Sequence, residues 1–153
     1  WRDAAYALST PVIMIIVTSL ALGKALMSTG MAGYLAMSFV SIVSDMQIPL
    51  ILSIFMLIMA ILTNVVSNNA AAVIGTPIAI AIAQQLNVAP EPFVLAVLFG
   101  ANMSYVTPYG YQTNLLILSA GGYKFSDFLK IGIPLTVIMW IGFSIVLPLL
   151  YVL

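Results

Sequence analysis

Long apolar stretches alternate with short polar clusters along this chain, and the length of each stretch predicts an element. Thr10 to Met27 is an apolar run of about eighteen residues interrupted by Lys24, and a helix needs roughly 17–25 residues to cross a hydrocarbon core. It predicts a transmembrane helix over 10–28. The next piece, 31–45, is too short to stand upright in a bilayer at about 1.5 Å per residue. With Ser38, Ser41 and Ser44 along one side, it reads as a short interfacial helix. Ile48 to Val66 is long enough to span, yet it stops at Ser67-Asn68-Asn69, and apolar residues resume from Ala70 to Ala83. Residues 48–85 therefore read as a re-entrant hairpin with its tip at 67–69. Phe93 to Val106 runs into the polar stretch TPYGYQTN, which predicts a discontinuous helix over 92–120 broken at 107–114. A last transmembrane helix is expected over 130–153, with Pro134 in its first turn, where the missing N–H costs little.

Composition turns these apolar runs into a solvent assignment. The chain is 63% hydrophobic and 5% charged, against about one-quarter charged in a soluble domain, so the expected fold is an all-α membrane protein. Net charge is zero, which leaves no basic surface for nucleic acid. The absence of cysteine and histidine excludes disulfides, zinc sites, thiol chemistry and imidazole catalysis within the chain. An enzyme is disfavoured too, because intramembrane proteolysis needs a Ser–His pair or two membrane carboxylates. The chain begins WRDAAYAL without a signal-peptide pattern and is expected to be a piece of something longer.

Polar breaks inside apolar runs are expensive. An amide buried without a partner costs roughly 2–7 kcal/mol, and an interrupted helix also strands its terminal backbone groups. A single asparagine could simply join helices. Two clusters of consecutive polar residues, one carrying Pro and Gly, point instead to backbone that lines a cavity, the pattern of a transporter binding site. Charge placement adds an orientation. Lys124 and Lys130 put the loop from Gly121 to Lys130 in the cytoplasm, whereas the loops at the ends of the hairpin hold Asp45 and Glu91 and no cation, so the hairpin opens outward. Trp1, Tyr6 and Tyr151 fit interfacial anchoring, while Trp140 lies too deep in its helix for that role.

These residues resemble a family. TNVVSNNAAAVIGTP, residues 63–77, looks like the Ser-Asn-Thr hairpin-tip motif of the divalent anion–sodium symporters within the wider ion transporter superfamily. TPYGYQTN, residues 107–114, resembles their paired Thr-Pro loop, and GGYKFSDFLKIGIPL continues the likeness. The resemblance covers nearly the whole chain but only the C-terminal one of two inverted repeats. It implies that the missing N-terminal repeat supplies the facing half of the site, that the full-length protein is a homodimer, and that it sits in a plasma membrane such as the bacterial inner membrane. Asn69 departs from the motif, standing where many members have Thr. With GYQTN, that variant looks most like a bacterial and algal branch associated with sulfate, whose members often carry regulatory cytoplasmic domains.

The helix ends define a division of labour. Each terminus acts like about half an elementary charge, negative where carbonyls end and positive where amides begin. Carbonyl ends suit Na⁺ and amide ends suit an anion. Asn68, with backbone oxygens around Thr63, Val66 and Val106, is the expected sodium site, as the resemblance also implies. Ser67, Asn68 and Asn69, with Thr107 and Pro108 opposite, are the expected anion site. Thr113 and Asn114 are further candidates that could equally cap the second half-helix. No organic cofactor is expected. A dianion in a cavity without Arg or Lys needs co-bound cations, and between Gln47 and Gly122 the one carboxylate is Glu91, beside two prolines, which argues for sodium rather than proton coupling. Lys24 reads as a side chain snorkelling to the headgroups. The resulting expectation is sodium-coupled transport of sulfate or dicarboxylates by alternating access, the hairpin moving against a scaffold that includes the last helix. The competing readings are a non-transporting subunit and a related permease for arsenite, citrate or Na⁺/H⁺ exchange.

Overall fold

The computed structural model describes residues 10–151. Trp1, Arg2, Tyr6 and residues 152–153 lie outside the described residues. Within them the chain forms seven helices and no strand: α1 (Thr10–Ser28), α2 (Met31–Val43), α3 (Ile48–Thr63), α4 (Asn68–Leu86), α5 (Glu91–Asn102), α6 (Gln112–Ala120) and α7 (Phe125–Tyr151). This is an all-α membrane protein. Helices α4 and α7 are each long and apolar enough to cross a bilayer, and Leu20–Ser28 with Met31–Val43 qualify together although bent by 70°. The bend sits at Gly30, whose φ of 71° is a left-handed conformation that a side chain would strain. On α2, Ser38 and Ser41 return their hydroxyls to Tyr34 O and Ser38 O, so the helix satisfies its own polar side.

Local chemistry explains the boundaries. Pro49 opens α3 and Pro92 opens α5, both in the first turn, where no intrahelical N–H bond is lost. Glu91, in the first turn of α5, complements the positive end of that helix. Asn87 ends α4 in a left-handed conformation, φ 52°. Asp127 starts α7 earlier than the sequence suggested: its Oδ2 accepts from the Lys124 N–H at 2.9 Å, the reach-back half of a capping box. Pro134, expected in the first turn, therefore lies inside the helix.

The core forms where α5 lies against both α3 and α4. Met56, Ala71, Ala79, Phe93 and Ala96 are fully buried there. Small residues let the backbones approach: a Cβ on Gly75 of α4 would stand 2.5 Å from Met59 Cε, and one on Gly100 of α5 would stand 2.7 Å from Met56 O. Helices α1 and α2 cover the far side of α4.

Helix α7 packs on α3 and α5 rather than apart from them. Trp140 Nε1 donates to Ser53 O at 2.9 Å, the Ser53 and Ser144 hydroxyls meet at 2.7 Å, and Phe143 stacks on Phe99 at 4.0 Å. Gly132 lies so close to the Tyr105 carbonyl that a Cβ has no room. These contacts attach the last helix to α3, to α5 and to residues between α5 and α6. The depth of Trp140 also finds its reason in the bond to Ser53.

Both breaks differ in extent from the expectation. The first spans 64–67, so Asn68 and Asn69 stand in the first turn of α4 rather than in a loop. Ser67 is the reason: with φ −67° and ψ 153° it is the N-cap, and its Oγ accepts from the Ala70 N–H at 3.3 Å. The second spans 103–111, earlier than 107–114, because Met103 to Thr107 are drawn out of the helix by side chains described next.

Candidate functional site

The site begins where α3 ends. Thr63 is fully buried, and its hydroxyl donates to Ala101 O near the end of α5 at 2.6 Å. Asn64 then reaches across to the second break. Its Nδ2 donates to Ala60 O (2.7 Å) and Met103 O (3.0 Å), and its Oδ1 accepts from the N–H groups of Val106 (3.0 Å) and Thr107 (3.1 Å). Two donors and two lone pairs are all an amide has, so every position is filled. Thr107 Oγ1 returns a bond to Asn64 O at 2.7 Å. From the other side, Asn114 in the first turn of α6 donates to Ser104 O (2.8 Å) and Thr107 O (3.3 Å). Residues 103–107 are thus held between two asparagines, which supply the partners that an interrupted helix loses.

Oxygens converge on Asn68. Thr63 has one hydroxyl proton and two acceptors, Ala101 O and Asn68 Oδ1, the latter at 2.8 Å. With the Asn68 amide turned about its last bond, Nδ2 instead donates to Thr63 Oγ1 (2.8 Å), Ser104 Oγ (3.0 Å), Gly110 O (3.0 Å) and Ala101 O (3.3 Å). Four oxygens therefore surround one amide tip that carries two N–H groups. Gly110 makes the approach possible, since a Cβ there would stand 2.5 Å from Thr63 O. Hydroxyl, amide and carbonyl oxygens without imidazole or thiolate form a donor set for a hard cation.

A cavity of about 380 Å³ opens beside this cluster. Ser67, Asn68 and Asn69 form one wall, Gly110, Tyr111 and Gln112 another, and Thr18 and Leu22 of α1 a third. None of the described residues lining it is charged. Helices α4 and α6 both start at its edge, and the N–H groups of a first helical turn have no intrahelical acceptors. The arrangement offers oxygens to a cation on one side of Asn68 and amide ends to an anion on the other.

The structure distributes the expected site residues unevenly. Ser67, Asn68 and Asn69 share the cavity, and Thr63 touches Asn68. Thr107 stands behind the cavity with its hydroxyl and N–H both engaged by Asn64, and Pro108 is fully buried. The Val106 N–H is bound to Asn64 Oδ1, and the Val66 N–H closes the turn onto Leu62 O at 2.9 Å. Asn114 braces the break rather than capping α6, whose N-cap is Tyr111, and Thr113 is exposed on the first turn. Lys24 lines a separate apolar groove with Thr76 and Pro77. Asn64, Ala101, Ser104 and Gly110 escaped the sequence reading. Asn64 lay inside the quoted motif, three residues before Ser67, and was the one legible signal; Ala101 and Gly110 act through backbone oxygen, which any residue provides.

The pattern of the citrate transporter family matches residues 1–153. An uncharacterized transporter of Synechocystis is 36% identical over 145 residues, covering 95% of this chain and 24% of that protein. An uncharacterized transporter of Escherichia coli is 31% identical over 150 residues, 97% of this chain and 25% of that protein. Sodium/sulfate cotransporter 2 of Chlamydomonas reinhardtii is 30% identical over 134 residues, 86% of this chain and 15% of that protein. The chain spans a quarter or less of the length of these relatives. Matched along its whole length, the chain belongs to the citrate transporter family of the ion transporter superfamily, and the names of the family and of these relatives are those of transporters.

Proposed function

We propose that the intact protein is a sodium-coupled secondary transporter of a small oxyanion with two or more negative charges, and that this chain supplies half of its site. The carrying observation is the ring of Thr63, Ala101, Ser104 and Gly110 oxygens around the Asn68 amide. Such a ring accepts the amide nitrogen when no cation is present and the cation, with Asn68 Oδ1 turned inward, when one is. The anion then sits in the adjoining cavity against Ser67, Asn69 and the amide ends of α4 and α6, its charge offset by Na⁺ because no lining residue carries charge. Thr107, Pro108 and Asn114 serve this reading as the brace of the second wall, with Thr113 exposed beside them on the first turn of α6; Val66 and Val106 bracket the ion side.

Helices α3 and α4 act as a re-entrant hairpin that opens to the outside, and α5 with α6 as the discontinuous helix. Helix α7 moves with them, since Trp140, Ser144 and Gly132 bind it to α3 and to the second break. A facing repeat from the rest of the protein closes the site, and the full-length protein acts as a homodimer in the plasma membrane. The family's name speaks of citrate and the name of the Chlamydomonas relative of sulfate, and both anions fit the class. The test is counterflow into proteoliposomes holding the full-length protein, with labelled sulfate, succinate and citrate, each with and without Na⁺. Na⁺-dependent exchange of at least one is expected; uptake indifferent to Na⁺ and driven by a pH gradient would overturn the sodium assignment.

A further inference from the structure

Asn64 is placed by the fold in an unusual position for a site residue: it is not among the residues lining the cavity, and its side chain bonds to Ala60, Met103, Val106 and Thr107 rather than to the ring oxygens, yet it binds the backbone on which the ring depends. Met103 O, Val106 N and Thr107 N are all held by its one side chain, and Ala60 O of its own helix completes the set. Ala101 and Ser104, two members of the ring, lie two residues before and one residue after Met103. Thr63, the third, is the residue before Asn64 and is linked directly to Ala101. The fourth, Gly110, lies against Thr63 O. The distance between the end of α3 and the loop 103–107 is therefore set at Asn64.

We propose that Asn64 is a positioning residue for the coupling ion: it fixes the second break against the end of α3, so that oxygens from the end of α3, the end of α5 and the second break meet at Asn68 without Asn64 itself touching the ion. This rests on the sodium reading above and assigns a determinant of ion affinity that neither helix break contains alone. The physical argument is one of geometry. Oxygens brought together repel one another and spread unless something outside the ring holds them, and a small shift of each loosens a cation site more than it loosens the fold. Asparagine suits the task because it donates to carbonyls and accepts from amides at once, which serine, aspartate or leucine cannot do in full.

The experiment uses full-length protein in proteoliposomes, with labelled sulfate and succinate as probes and Na⁺ varied at fixed anion. Uptake is expressed per folded transporter. Asn64→Ala and Asn64→Ser are expected to raise the Na⁺ concentration for half-maximal uptake by about tenfold or more, since each leaves buried backbone groups unpaired and the ring free to spread. Trp140→Phe removes a bond that ties α7 to α3 away from the ring, and it is expected to lower thermal stability while leaving that concentration unchanged. If the Asn64 variants lose only the amount of folded protein, as Trp140→Phe does, and keep the parental Na⁺ dependence, Asn64 is structural and the inference is overturned. Should Asn64→Ala not fold, Asn64→Ser gives the same readout. Na⁺-independent uptake by the parent protein overturns the sodium reading and this inference together, whereas an Na⁺-dependent parent with unshifted Asn64 variants overturns this inference alone.

Discussion

The two helix breaks meet at one place but are built by opposite means. The first, 64–67, is short and caps itself: the Asn64 N–H turns back to Ile61 O, and Ser67 receives the Ala70 N–H. The second, 103–111, is longer and lacks a side-chain cap at the start of α6. Its shape is imposed from outside, by Asn64 before it, Asn114 after it and Gly132 of α7 against Tyr105 O. The first break thus presents side chains, and the second presents the Gly110 carbonyl beside the Ser104 hydroxyl, with the Ala101 carbonyl at the end of α5 next to them. A site that must grip a cation and an anion together needs both: side chains select, while backbone oxygen supplies ligands that no single substitution removes.

The largest expected effect falls on the side-chain half. Asn68→Ala deletes the one group that faces the oxygens of Thr63, Ala101, Ser104 and Gly110. Na⁺-dependent uptake should fall by about a hundredfold, the scale of losing hydrogen bonds to a charged group, with the protein still reaching the membrane. Uptake measured against surface abundance checks this. A parallel loss of abundance and uptake would make Asn68 a packing residue and break the contrast between a selecting half and a supporting half.

The backbone half is tested through glycine. Gly110→Ala places a Cβ 2.5 Å from Thr63 O and 3.0 Å from Ser104 Cβ, and backbone oxygen cannot move aside as a flexible side chain would. The second break should shift off Thr63, costing about 1–3 kcal/mol of stability and several-fold in Na⁺ affinity. Gly23→Ala on α1 is the control, since nothing lies within 4 Å of its Cβ. Equal behaviour of the two variants would show that the close approach of Gly110 does not matter.

The same asymmetry explains what could be read without coordinates. Consecutive polar residues in an apolar run announce the first break, because hydrocarbon makes Ser67-Asn68-Asn69 costly anywhere but at a helix end. Membrane class follows from composition, and helical order from run lengths. The second break was legible as Pro108 and Gly110 but not in extent, since its unwinding starts at Met103, a residue with no turn preference; Asn64, a long way back in sequence, causes it. Likewise Asp127, hidden in a polar linker, starts α7 before the apolar run does. Partners distant in sequence leave no local pattern.

Thr113 gives the smallest expected effect and the finest cut between the two breaks. It shares the TPYGYQTN stretch with residues that hold the loop, so sequence alone ranks it beside Asn114. The fold separates them: Asn114 Nδ2 donates to Ser104 O and Thr107 O, whereas Thr113 is exposed on the first turn of α6 and Tyr111, not Thr113, is the N-cap. Its N–H belongs to the first turn of α6, a backbone group that a substitution leaves intact. Thr113→Ala should therefore change uptake by less than about twofold, an ordinary surface effect, while Asn114→Ala, which frees two carbonyls, should cost more. If Thr113→Ala lost uptake as Asn68→Ala does, the second break would contribute a side chain to the anion after all, and the division between side-chain and backbone halves would fail at that residue.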